Sequence, residues 1–292
     1  MKGIVLAGGS GSRLHPITLG ISKQLIPING MPMVYFPVSI LMRAGIRDIL
    51  IITTPSDLSN FKKLLGDGAA YGCHFEYAEQ PSPNGLAQAF IIGEEFIGND
   101  SVCLILGDNL FIGDGLEELL LKAVRSAEEE SSATVFGYCV DDPKSFGVAE
   151  VDEDGNCLSI EEKPENPKSN YAVIGLYFYP NAVVNVAKDV KKSKRGEYEI
   201  TSVNQYFLEE RALILQCLDK NIKWFDTGTF DDLMEASEAV KKQGHSVACL
   251  EQIALRKRWI NKVDVEKRAN LLKNSYYGRY LLDVIEESKN DL

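Results

Sequence analysis

The sequence predicts an α/β protein: a doubly wound, three-layer α/β/α sandwich on a mainly parallel mixed sheet, with a small β-rich insertion and C-terminal helices. Three observations carry this expectation. Over residues 1–131, short runs of Val, Ile and Leu alternate with amphipathic stretches; continuous apolar strands separated by helices mark a parallel sheet covered on both faces. From about residue 132, alternating strands flank turn residues such as Asp152-Glu153-Asp154-Gly155, which indicates hairpins. Finally, 292 residues with 45% hydrophobic and 25% charged side chains form an ordinary globular composition, long enough to bury a sizeable core.

Element by element, 3–7 reads as a buried strand and 33–44 as a helix whose first turns Pro37 should disturb. Strands at 48–53, 73–78 and 102–106 alternate with helices at 58–65, 86–96 and 116–129. Right-handed crossovers then make the doubly wound arrangement the default. The second half reads as strands at 133–140, 146–151, 157–162 and 171–179, a helix at 182–188, a basic loop at 191–196 and a helix at 200–210. Short strands at 213–218 and 222–225 precede a helix over 230–242, with Thr229 a natural N-cap. From Val247 onward apolar residues recur at helical spacing, a segment too apolar to stand free in solvent.

The formal net charge is −11, which speaks against a general nucleic-acid binder, since those carry a basic footprint. No apolar run reaches the roughly 18 residues of a spanning helix, and the apolar stretch after Met1 is too short for a secretion signal. The expected location is the cytoplasm. Six cysteines stand singly without a C-x-x-C pair, so a zinc site is not expected and most read as small core hydrophobes. His15, His74 and His245 make no convincing metal cluster. Chemistry must therefore rest on carboxylates, lysines, arginines and backbone groups.

The first strand runs into Gly8-Gly9-Ser10-Gly11-Ser12-Arg13-Leu14. In an open α/β sheet this turn lies at the carboxyl edge, where ligands bind. Its glycines would let backbone N–H groups approach an anion. The run lacks the Gly-Lys-Ser/Thr of a Walker loop, and Leu14 stands where the dinucleotide fingerprint has a third glycine. That disfavours a dinucleotide-dependent oxidoreductase. The glycines alone leave open a flexible turn or a phosphate cradle. Arg13 beside the turn and Lys23 beyond it favour the cradle, because phosphates on an acidic protein need local positive charge. Asp108 and Asp226 each follow a strand, again at the carboxyl edge. Magnesium usually takes one or two carboxylates with phosphate and water; a capping role for each is the alternative. Glu162 and Lys163 are neighbours that can reach one ligand only where their strand ends, and Pro164 ends it there.

Leu6-Ala7-Gly8-Gly9-Ser10-Gly11-Ser12-Arg13-Leu14-His15-Pro16, followed by Lys23-Gln24-Leu25-Ile26-Pro27, resembles the signature of the sugar-phosphate nucleotidylyltransferases, and within them the glucose-1-phosphate thymidylyltransferase branch. Gln80-Pro81-Ser82-Pro83-Asn84-Gly85-Leu86-Ala87-Gln88-Ala89, Gly107-Asp108-Asn109, Glu161-Glu162-Lys163-Pro164, Gly196-Glu197-Tyr198-Glu199-Ile200-Thr201 and Trp224-Phe225-Asp226-Thr227-Gly228-Thr229 extend it, in order, over nearly the whole chain. The resemblance implies a Rossmann-like catalytic domain over 1–243, with a nucleotide-binding part to about 131 and a sugar-binding part to about 243. Residues 244–292 would be a helical segment docked on the core or on a partner subunit.

By the same resemblance, the reaction is Mg2+-dependent transfer of dTMP from dTTP to glucose 1-phosphate, giving dTDP-glucose and pyrophosphate for dTDP-rhamnose synthesis. Arg13, Lys23, Asp108, Lys163 and Asp226 would be catalytic, with the metal on Asp108 and Asp226. Nucleotide contacts would come from Leu6, Gly8, Gly9, Gly11, Ser12, Arg13, Lys23, Gln24, Gln80, Pro83, Gly85, Leu86 and Asp108. The sugar phosphate would meet Asn109, Gly147, Glu162, Lys163 and Val173. Tyr177 and Trp224 would either wall the sugar ring or be plain core aromatics. A homotetramer is implied, with feedback inhibition at a second site by a downstream deoxythymidine diphosphate sugar. Ser12, Asn84, Phe146 and Phe230 depart from the usual threonine, acidic residue, tyrosine and histidine; they bear on sugar preference, not on the reaction. Rival readings are a uridylyl-, cytidylyl- or adenylyltransferase on the same scaffold, and a non-catalytic nucleotide-sugar sensor.

Overall fold

A computed structural model describes residues 1–9 and 11–290, with 288–290 as backbone alone; Ser10 of the glycine-rich turn and residues 291–292 lie outside the described residues. The chain enters through β1 (Lys2–Ala7), whose residues after Lys2 are buried because both of its faces are covered. Two short strands, β2 (Pro27–Ile28) and β3 (Met31–Pro32), pair antiparallel and lead into α1 (Tyr35–Arg43). Next come β4 (Asp48–Thr53), α2 (Leu58–Leu65), β5 (His74–Glu79), α3 (Gln88–Ile92) and α4 (Glu94–Ile97). Then β6 (Val102–Leu106), β7 (Asn109–Ile112) and α5 (Leu116–Glu129) close the first half. The second half runs β8 (Ala133–Cys139), β9 (Gly147–Val151), β10 (Cys157–Glu162), β11 (Tyr171–Tyr179), α6 (Val183–Asp189) and α7 (Ile200–Glu209). It continues through β12 (Leu213–Cys217), β13 (Lys223–Asp226) and α8 (Phe230–Gln243). Three helices follow: α9 (Leu250–Arg256), α10 (Lys262–Leu271) and α11 (Tyr276–Asn290).

The central sheet is mixed, in the order β10-β9-β11-β6-β1-β4-β5, with β8 along the other edge of β11 and β12 outside β8. The stretch β6-β1-β4-β5 is parallel; the neighbours of β11 run antiparallel to it. Alternation along each strand divides the core into two layers. Val5, Ile49, Ile51 and Ile105 face the layer formed with α1, α2, α5 and α8. Ile4, Leu50, Ile52 and Leu104 face the layer formed with α3, α6 and α7. This is the expected three-layer sandwich.

β11 joins the two halves. Tyr171–Val173 pairs with β9, whereas Leu176–Tyr179 pairs with β6. Between them, at Ile174 and Gly175, the neighbour changes and the sheet forks. The side chain of Asn109 fills the fork, its Oδ1 accepting the Gly175 N–H at 3.1 Å. A Cβ on Gly175 would lie 2.7 Å from that oxygen and 2.6 Å from Leu106, so only glycine lets the strand pass.

Three local expectations need correction. Pro37 does not disturb its helix: α1 starts at Tyr35, so Pro37 lies in the first turn, where N–H groups have no intrahelical acceptor anyway. The single helix expected over 86–96 is two, α3 and α4, parted at Gly93. A Cβ there would meet Ile4 at 3.0 Å and Leu50 at 3.2 Å, so the turn rests directly on the sheet. Finally, β7 was not foreseen as a strand; its partner is β13. Thr229 does cap α8, accepting from the Asp232 N–H in a full capping box.

The C-terminal helices dock on the body of the same chain. Arg43 of α1 donates to the carbonyls of Ser246 at 3.2 Å and Val247 at 2.8 Å. Glu251 of α9, fully buried, accepts from Arg268 at 3.2 Å and from Tyr277 at 2.5 Å. Arg268 also donates to Tyr71 at 3.2 Å, tying α10 to the core. Among the described residues, no helix is long and apolar enough to cross a membrane. The cysteines are all unpaired: Cys73, Cys103 and Cys249 are buried, Cys157 and Cys217 half-buried, and Cys139 exposed.

Candidate active site

Two clefts open side by side at the carboxyl edge of β1 and β6, sharing Leu86, Leu106, Asp108 and Glu197. The first, about 200 Å³, is lined by Leu6, Gly8, Gly9, Gln24, Gln80, Pro83 and Gly85 as well as the shared residues. The second, about 290 Å³, gathers Arg13, Asn109, Gly147, Glu162, Lys163, Val173, Tyr177, Trp224 and Asp226. Most of the residues singled out in the sequence thus fall into two groups that meet at Asp108. Gly11 and Ser12 line neither cleft. Lys23 lies beneath them, 5% exposed.

In the first cleft, the Gln80 amide donates to Gln88 Oε1 at 2.9 Å and to the Gly85 carbonyl at 3.4 Å. Its Oε1 accepts nothing from the chain among the described residues. The 82–87 loop is latched to the loop after residue 190: Tyr198 N–H donates to the Asn84 carbonyl at 2.7 Å, and Ala87 N–H to the Tyr198 carbonyl at 3.1 Å.

The acidic pair is assembled by strand pairing. β7 and β13 run antiparallel with Asp226 opposite Asn109, which carries Asp226 to Asp108. Thr227 secures the crossing by donating its hydroxyl to the Asp108 carbonyl at 2.9 Å. The Asp108 carboxylate accepts from Lys23 Nζ at 2.6 Å on Oδ2 and from Asn109 Nδ2 at 3.1 Å on Oδ1. The Asn109 Oδ1 in turn accepts from the Trp224 indole at 2.7 Å and from Gly175. Two donors on the oxygen leave the amide nitrogen facing Asp108. Asn109 therefore spends its side chain on holding the carboxylate and the sheet fork.

The Asp226 carboxyl is pushed up to about 6, first by burial and then by the charge of Asp108; Lys23 and Arg13 pull it back, and Asp232 adds to the rise. It accepts no hydrogen bond from another side chain among the described residues. Two hard carboxylates, one of them short of positive partners, match the donor set a divalent ion requires. Arg13 lies flat over Gly228: a Cβ there would stand 2.9 Å from the guanidinium carbon.

On the other side, β10 ends at Glu162 and Lys163 turns with φ +44°. Left-handed backbone is uncommon outside glycine and clusters at functional sites. The Lys163 N–H donates to the Phe146 carbonyl at 2.9 Å, and the turn brings Lys163 into the same cleft as Glu162. Glu162 accepts from Thr201 at 2.5 Å and from Arg195 at 3.3 Å. Tyr177 is 3% exposed and stacks on Tyr179, while Trp224 packs edge-on against Phe146. Both line the cleft, so core aromatics and cleft wall are the same side chains.

Sequence reasoning missed Arg195, Glu197, Glu199 and Thr201, which also line the second cleft. Their signal was present in Gly196-Glu197-Tyr198-Glu199-Ile200-Thr201, a motif noted without assigning any of its side chains to the site.

Sheet, glycine-rich turn and paired clefts are the frame of an enzyme that joins a nucleotide to a second molecule. The Nucleotidyl transferase family model matches residues 2–243, and the chain belongs to that family, whose members generally use a divalent metal. Among relatives, the chain is 55% identical to glucose-1-phosphate thymidylyltransferase of Neisseria gonorrhoeae, over 98% of this chain and 99% of that one. It is 50% identical to glucose-1-phosphate thymidylyltransferase of Mycobacterium tuberculosis, over 99% and 100%. A Bacillus anthracis crystal structure described as a glucose-1-phosphate thymidylyltransferase with a sucrose superposes with TM-score 0.76 at 39% identity, covering 82% of this chain and 95% of that one. UDP-glucose pyrophosphorylase complexed with UDP-glucose superposes with TM-score 0.72 at 27% identity, covering 83% and 99%.

Proposed function

We propose that the chain is a glucose-1-phosphate thymidylyltransferase, which joins dTTP and glucose 1-phosphate to give dTDP-glucose and pyrophosphate. The observation that carries this reading is the meeting of the two clefts at Asp108, with Arg13, Lys23, Lys163 and Asp226 around it. Relatives of that name, at 50 and 55% identity over nearly the full length, support it.

The nucleotide would occupy the Gln80 cleft and the sugar the Glu162 cleft. The free Gln80 Oε1 suits the imide N–H of thymine. Thymine differs from uracil by one methyl, worth only about 1–3 kcal/mol in an apolar pocket, so some uridine nucleotide should be accepted. A phosphate monoester has its second pKa near about 6 and is largely ionised at neutral pH. It can attack the α-phosphorus in line without a general base. The obstacle is repulsion between two anions, and catalysis is positioning and charge stabilisation. Lys163 holds the attacking phosphate, while Arg13 and the N–H groups of the glycine-rich turn hold the leaving pyrophosphate. Lys23 donates to Asp108 at 2.6 Å and places its charge near the α-phosphate. Asp108 and Asp226 would hold Mg2+, which when bound supplies positive charge to phosphate oxygens.

The catalytic unit would span 1–243 in a cytoplasmic homotetramer, with a downstream sugar nucleotide inhibiting at a second site. The test is product formation from glucose 1-phosphate with dTTP, UTP, CTP and ATP in turn, with and without Mg2+. Preferred, Mg2+-dependent use of dTTP is expected. Preference for UTP would install the uridylyltransferase reading, which the likeness to UDP-glucose pyrophosphorylase keeps in view. No product with any triphosphate would favour a non-catalytic sensor.

A further inference from the structure

A third cleft, about 860 Å³, opens outward from the reaction centre. It shares Arg13, Lys163 and Asp226 with the sugar cleft and continues past Trp224 to Lys144, Lys220 and Lys223. None of these five cations has a carboxylate within ion-pair distance among the described residues. Some lysines elsewhere on the surface do pair, as Lys168 with Glu150 and Lys257 with Glu117. The acids lining this cleft are Asp226, Asp232 and Glu235. Five cations thus face three carboxylates, a local excess of positive charge in a chain of net charge −11.

We propose that this cleft is an anion corridor that receives inorganic pyrophosphate, with Lys144 and Lys223 its outer cations. The inference rests on the reaction proposed above and adds a binding site to it. After transfer, the sugar nucleotide fills the two inner clefts. Pyrophosphate then leaves by another route, and this cleft begins at Arg13, assigned above to the leaving pyrophosphate, and at Lys163. Lysine offers mobile point charges rather than a fixed fork, which suits a ligand that passes through.

The test compares the wild type with Lys144→Ala/Lys223→Ala. Both lysines are exposed, so the fold should survive, and thermal unfolding checks that it does. In the reverse reaction at saturating dTDP-glucose, KM for pyrophosphate should rise about tenfold, as for the loss of two charge-assisted contacts. KM for dTTP and for glucose 1-phosphate should move much less. The difference in pyrophosphate KM should shrink at high salt, because exposed charges are screened. An unchanged KM for pyrophosphate, or an equal rise for all three substrates, overturns the corridor. Calorimetric titration of inorganic pyrophosphate into both proteins decides it without turnover: weaker binding by the double variant supports it and equal binding refutes it. A wild type without transfer activity counts against the proposed function instead.

Discussion

Asp226→Asn should stabilise the metal-free protein while abolishing its activity. In the fold, the Asp226 carboxyl is pushed from 3.8 up to about 6, mainly by burial and by Asp108. A pKa raised on folding means that the folded chain binds the proton more tightly than the unfolded chain does. The wild type is therefore favoured by this group at low pH, and loses that contribution as pH rises from about 4 through about 6. Each unit is worth about 1.4 kcal/mol, so ionised Asp226 costs the fold up to about 3 kcal/mol at pH 8. The neutral amide has the same shape and no charge to repel Asp108. Urea unfolding at pH 8 in a chelator should show the variant more stable by about 1–3 kcal/mol, and the gap should narrow toward pH 4. Added Mg2+ should stabilise the wild type and not the variant, since a ligand of the folded state alone raises stability. A variant less stable than the wild type at pH 8, or a gap independent of pH, would refute the account of the acidic pair.

Three further outcomes are expected. Lys23→Met removes the ammonium held 2.6 Å from Asp108 and should lower kcat by about 10²–10³; near wild-type turnover in steady-state assays would remove Lys23 from the mechanism. Asn109→Asp keeps the acceptor for Trp224 and Gly175 but loses the donor to Asp108. Its kcat should fall while KM for glucose 1-phosphate stays close to wild type, whereas a rise in KM alone would make Asn109 a sugar contact and not a positioning residue. Arg268→Met leaves Glu251 buried without its cation and should cost about 3–5 kcal/mol; an unshifted urea midpoint would show that the pair contributes nothing.

The parallel half was readable because its signals are local. Strands such as β4 and β6, buried on both faces, must be continuously apolar, and helices such as α2 and α5 carry one apolar stripe. Gly93 escaped because the reason for the break lies in Ile4 and Leu50, far away in sequence. β7 escaped because four residues carry too short a pattern to separate a strand from a turn. In the site, Arg13 and Lys23 announced themselves beside the glycine-rich turn. Arg195 and Thr201 did not, since a charge or a hydroxyl on a loop has many uses until its neighbour is known.

From the sequence alone came the layers, the order of most elements, the ligand-binding edge of the sheet and the acidic surface against which any phosphate site must be built. Those properties follow from periodicity, glycine placement and charge, which act over a few residues. Tertiary structure alone decided that Asp226 stands beside Asp108 and that Asn109 turns its amide toward that carboxylate. The pairing of β7 with β13 and the fork in β11 set those contacts. Each depends on strands that meet only after the chain has folded, so no local pattern could encode it.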